Sequence, residues 1–94
     1  MITSRPGSAK PYKLSLPKKV VKALDLTSDN DYDRIRSAIR SLASSPRPQG
    51  AKKLESDLYR IRIGRYRVVY SVDDRAREII ILKVAKRDER TYDL

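Results

Sequence analysis

The chain contains no cysteine and no histidine in its 94 residues. Without thiolate or imidazole, the usual zinc ligand sets cannot be assembled, nor can a Cys–His or Ser–His nucleophile pair. Disulfides are equally excluded, so folding does not depend on an oxidising compartment. Tryptophan and phenylalanine are also missing, and six tyrosines supply all the aromatic surface. No continuous apolar stretch reaches membrane-spanning length. The opening Met1-Ile2-Thr3-Ser4-Arg5-Pro6-Gly7-Ser8 lacks the apolar run of a signal peptide. A cytoplasmic protein with no metal and no cofactor is the expectation.

What is abundant is positive charge. Lys and Arg number 22 against 12 Asp and Glu, a net charge of +10. Such an imbalance is self-repulsive and suits a polyanionic partner: nucleic acid, an acidic membrane face or an acidic protein. With 39% of residues hydrophobic, a chain of this size builds one modest core, in which helices must cover a sheet.

Residues 1–11 are polar, hold Pro6, Gly7 and Pro11, and read as a flexible leader before one domain over 12–94. Tyr12, Leu14 and Leu16 alternate with period two, the pattern of a first strand. Pro17 suits the first turn of a short helix over 18–24 that buries Val20, Val21 and Leu24. Ser28 or Asp29 can cap a second helix, with Tyr32, Ile35, Ile39 and Leu42 inward and Arg34, Arg36 and Arg40 outward. Ser45-Pro46-Arg47-Pro48-Gln49-Gly50 ends that helix. A connecting segment, 51–57, leads to three strand signals at 58–63, 66–72 and 78–85. The expected fold is α+β, in the order β-α-α-β-β-β: an antiparallel sheet with both helices on one face. Ile79-Ile80-Ile81-Leu82 is apolar at both parities, so the last strand should lie centrally, buried on two sides or nearly so.

The most informative stretch is Tyr59-Arg60-Ile61-Arg62-Ile63-Gly64-Arg65-Tyr66-Arg67-Val68-Val69-Tyr70. A two-residue turn at Gly64-Arg65 pairs Ile63 with Tyr66 and Arg62 with Arg67. Tyr59, Ile61, Ile63, Tyr66, Val68 and Tyr70 then share the core side, and Arg60, Arg62 and Arg67 the other. Like charges directly across a strand pair are destabilising. Fold stability gives no reason for this placement, whereas a phosphate ligand does, because guanidinium groups grip phosphate through paired N–H donors. Lys52, Lys53, Arg65 and Lys86 extend the field as candidate nucleic-acid contacts, and Arg87 follows Lys86 directly. Asp29-Asn30-Asp31-Tyr32-Asp33 opens like a calcium loop. It carries Arg34 and Arg40 where such a loop needs Gly and Glu, so helix capping accounts for it. Lys18-Lys19 reads as a plain helix surface.

These residues, taken in order, resemble the RelE/ParE superfamily of bacterial toxins. The resemblance rests on the strand-helix-helix opening and the helix end Leu42-Ala43-Ser44-Ser45-Pro46-Arg47-Pro48. It rests further on Lys53-Leu54 before Leu58-Tyr59-Arg60-Ile61-Arg62, on Tyr66-Arg67-Val68-Val69-Tyr70, and on Val84-Ala85-Lys86-Arg87 with Tyr92. It covers residues 12–94.

The resemblance implies a ribosome-dependent endoribonuclease that cleaves mRNA in the decoding A site and is held inactive by a cognate antitoxin protein. The ribose 2′-OH would attack the adjacent phosphorus, leaving a 2′,3′-cyclic phosphate and a 5′-OH. By the same resemblance Arg60, Arg62, Arg67, Arg87 and Tyr92 are the catalytic candidates. Where better-studied relatives carry lysine in this strand, Arg60 and Arg62 stand here. Arginine does not deprotonate in proteins, so these two are charge stabilisers rather than bases. Proton transfer then falls to Tyr92, Lys86, or a ribosomal or substrate group. Two other readings fit the same composition: a ParE-like gyrase inhibitor without nuclease activity, and a non-catalytic nucleic-acid-binding module.

Overall fold

Period-two alternation and a Gly-centred turn build the middle of the molecule. The computed structural model describes residues 11–86, so the leader apart from Pro11, together with Arg87 and Tyr92, lies outside the described residues. The elements are β1 (Lys13–Ser15), α1 (Lys18–Asp25), α2 (Asp29–Leu42), β2 (Lys52–Lys53), β3 (Leu58–Ile63), β4 (Tyr66–Asp73) and β5 (Glu78–Lys86). They form a five-stranded sheet in the order β1-β5-β4-β3-β2.

The helices follow their local signals. Ser28 caps α2, its hydroxyl accepting from the Asp31 N–H at 3.3 Å, and Asp29 and Asp31 sit in the positive first turn. Pro17 is the extended residue before α1 rather than its first helical residue. Val20 and Leu24, four apart, are buried, while Val21 is rotated outward and exposed. On α2, Ile35, Ile39 and Leu42 are buried and Tyr32 is half-buried. Helix α1 packs on β5 and α2 on β3. Their inner side chains meet Tyr59, Ile61, Tyr66, Val68, Tyr70, Val72, Ile79, Ile81 and Val84 of the sheet in one core.

Three features of the sheet depart from the expected pattern. The sheet is mixed, because β1 pairs parallel with β5, Leu14 beside Ile79, while every other pair is antiparallel. The two helices carry the chain across the sheet between β1 and β2, so β1 enters at the edge beside the last strand. The segment 51–57 also supplies a short edge strand, with Lys52 opposite Arg60 and Lys53 opposite Tyr59. The most buried strand is β4, alternating without a break between buried and half-buried from Tyr66 to Val72. Strand β5 lies one place from the edge, with Ile79 and Ile81 buried and Ile80 and Leu82 only half-buried. A β-bulge interrupts its pairing: Tyr70 faces Ile81, yet Val69 faces Lys83, which leaves Leu82 as the extra residue. Continuing the Tyr70–Ile81 register would set Lys83 against Val68, whose side of the sheet is fully buried. The bulge instead buries Val84 and turns Lys83 outward, so the strand changes parity half-way along.

Candidate nucleic-acid interface

The sheet face away from the helices is assembled from the register. Arg62 stands opposite Arg67 across β3 and β4, as the two-residue turn requires, and Ile63 stands opposite Tyr66. Gly64 has φ 60 and Arg65 is not left-handed, the combination of a hairpin turn that needs glycine only at its first position. Arg60 lies two residues from Arg62 and thus on the same face, opposite Val69. Lys52 lies opposite Arg60 on β2, and Lys83 opposite Val69 on β5. The result is a transverse row, Lys52–Arg60–Val69–Lys83, lying beside the Arg62–Arg67 pair.

Not every candidate joins this face. Lys53 pairs with Tyr59, and Lys86 with Tyr66, so both take the parity of the core side, at exposed ends of the sheet. Arg65 is exposed at the hairpin tip. Lys83 was not among the sequence candidates, and only the bulge brings it to the arginines. The available signal was a lone lysine inside Ile79-Ile80-Ile81-Leu82-Lys83-Val84, which an unbroken strand would have had to bury. Arg67 is half-buried and Arg62 exposed. The ion pairs among the described residues are Arg34–Asp31 and Arg47–Asp74, and they involve neither Arg62 nor Arg67.

The other end of the sheet has compensated charge. Arg47 Nη2 donates to Asp74 Oδ2 at 2.7 Å, and its Nε donates to the Tyr59 hydroxyl at 3.0 Å. The Tyr12 hydroxyl donates to Asp74 Oδ1 at 2.7 Å. Together these donors hold the Asp74 carboxyl below its ordinary pKa, while the bond to Asp74 raises that of the Tyr12 phenol. Burial pushes the Tyr70 phenol up to about 12, and its hydroxyl donates to the Pro46 carbonyl at 2.8 Å. This network locks the segment after α2 onto the β4–β5 turn. It consumes the charge of Arg47 internally, whereas the hairpin half of the open face keeps its charge turned outward.

Residues 15–91 match the family described as the ParE toxin of type II toxin-antitoxin systems, parDE. The chain belongs to the RelE/ParE superfamily of toxins. Over 84 residues it is 32% identical to a protein of Methanocaldococcus jannaschii that carries the name toxin RelE1, covering 82% of this chain and 91% of that one. It is similar in structure to the RelE-RelB complex of Pyrococcus horikoshii OT3, with a TM-score of 0.79 and 37% identity over 84% of this chain and 98% of that one. The isolated RelE toxin of E. coli shares the fold at a TM-score of 0.72 and 22% identity, covering 83% of this chain and 86% of that one. This member of the superfamily thus keeps the two-helix, five-strand frame and lays its arginines on the sheet face opposite the helices.

Proposed function

We propose that this RelE/ParE-type toxin is an mRNA endoribonuclease that acts on translating ribosomes without a metal. The observation that carries the reading is the direct opposition of Arg62 and Arg67, with Arg60 on the same face. Three guanidinium groups on a preformed sheet supply fixed positive charge where a pentavalent phosphorane would develop negative charge. The 2′-OH attacks the adjacent phosphorus and the 5′-oxygen leaves, giving a 2′,3′-cyclic phosphate and a 5′-OH. None of the three arginines can take the proton from the 2′-OH. The proton would pass to Tyr92, Lys86, or a group of the ribosome or substrate, the leaving 5′-oxygen would take one in turn, and Arg87 would add a further positive charge. The ribosome's part is to hold the 2′-OH in line with the scissile bond.

A cognate antitoxin belongs to the same reading. The similar archaeal structure is a RelE-RelB complex. This chain presents apolar surface for such a partner at Val21, Leu26 and Leu54, all exposed. A groove of about 320 Å³ between α1 and β5 is lined by Lys19, Val20, Ala23, Leu82, Lys83 and Val84. Its apolar floor, with Lys19 at its rim, suits an amphipathic acidic segment that folds on binding.

Sequencing mRNA 5′ ends after a brief induction tests the activity. Cuts in phase with translated codons support it, and their loss in Arg67→Ala ties them to this face. The ParE description of the matched family favours a second reading, inhibition of gyrase. Intact transcripts together with a DNA-damage response would establish that reading instead.

A further inference from the structure

We infer that Lys83 is an RNA contact, holding a phosphate that flanks the one gripped by the arginines. The inference rests on the proposed function in one respect, that the open face takes RNA. Its own basis is the bulge. Bulges re-aim side chains, and this one moves Lys83 from the parity of buried Val68 to a position opposite Val69, on the arginine side.

The placement gives the face an organisation. Lys52 on β2 and Lys83 on β5 end a row whose middle is Arg60 and half-buried Val69. Adjacent strands lie about 4.8 Å apart, so the two lysines stand roughly 14 Å apart across three strand steps. Side chains stand roughly perpendicular to a sheet, so the two ammonium groups stay about that far apart, more than one phosphate group spans. The lysines therefore serve different phosphates, on either side of the central arginines. The residue types fit the roles: arginine's planar fork clamps a phosphate in one geometry, and lysine acts as a point charge that tolerates a mobile backbone. Lys83 is exposed, and the ion pairs among the described residues do not involve it.

The test is the salt dependence of binding to a single-stranded 2′-O-methyl RNA, which lacks the attacking hydroxyl and cannot be cut. Each lost phosphate contact lowers the slope of log K against log salt by about 0.7. Between about 50 and about 200 mM salt the affinity of Lys83→Gln should therefore fall about 2.6-fold less than that of wild type. Lys83→Arg should restore the slope. Lys22→Gln, which removes an equal charge from the exposed side of α1, should leave it unchanged. An unaltered slope in Lys83→Gln, an equal loss in Lys22→Gln, or no measurable RNA binding by wild type overturns the inference. Toeprinting on translating ribosomes reads the nuclease proposal separately. A normal slope change without cleavage leaves Lys83 as an RNA contact and removes only the nuclease.

Discussion

Tyr59 stands directly across from Tyr70, their rings stacked 5.9 Å apart at 25°, and each hydroxyl is held by the segment that follows α2. Arg47 donates to Tyr59 and lies over its ring at 5.2 Å, while Tyr70 donates to the Pro46 carbonyl. The pair pins the helical layer to the sheet at the end remote from the hairpin. Tyr70→Phe keeps the stack and loses the hydrogen bond, so it should destabilise by about 1 kcal/mol. Tyr70→Ala also opens a cavity and should lose about 3–5 kcal/mol, by analogy with other buried aromatics. Urea unfolding of the two variants measures both.

Arg67→Ala should separate activity from stability. Removing one preformed charge stabiliser lowers the rate of mRNA cleavage by about 100-fold or more. Thermal stability should hold or rise by a few tenths of a kcal/mol, roughly the scale of a like-charge cross-strand pair. Growth after induction and a melting curve give the two readouts. A variant that melts far below wild type would mean that Arg67 serves the fold.

The acid limb of the stability profile should carry the signature of Asp74. Its folded pKa is held below the ordinary value by bonds from Tyr12 and Arg47. The unfolded chain therefore binds a proton first as pH falls. The contribution of this carboxylate is present above the unfolded pKa and is lost as pH drops through the folded one. Asp74→Asn should flatten that limb in urea titrations at low pH.

At high pH the sign reverses for Tyr70. Burial raises its pKa from 10.0 to about 12. Across that window the unfolded tyrosine sheds a proton that the folded one keeps, so stability falls as pH rises. Tyr70→Phe should remove this part of the alkaline loss.

Gly64→Ala should destabilise by about 1–2 kcal/mol, because an L side chain at φ 60 is strained. An added Cβ would also meet Arg34 Nη1 at 3.1 Å, but that is the tip of an exposed, flexible side chain and can move. Arg34→Ala should therefore not rescue the variant, and Gly64→Asn should be milder. Denaturant midpoints of the three variants check this.

Much of the arginine hairpin was legible in the residues themselves. Alternation from Tyr59 to Ile63 and from Tyr66 to Tyr70, joined by a two-residue turn with glycine, leaves a single register that buries the apolar set, and Arg62 then has to oppose Arg67. The helices, their Ser28 cap and the buried Val20, Leu24, Ile35, Ile39 and Leu42 follow in the same way, from periodicity within one segment. Val21, Lys83, the β2 edge and the parallel β1 could not be read this way. Each depends on which distant strand lies alongside, and that is fixed only when helices and sheet close over a shared core. Local pattern determined the faces of the elements, and long-range packing chose their neighbours, down to the one-residue bulge that set a lysine among the arginines.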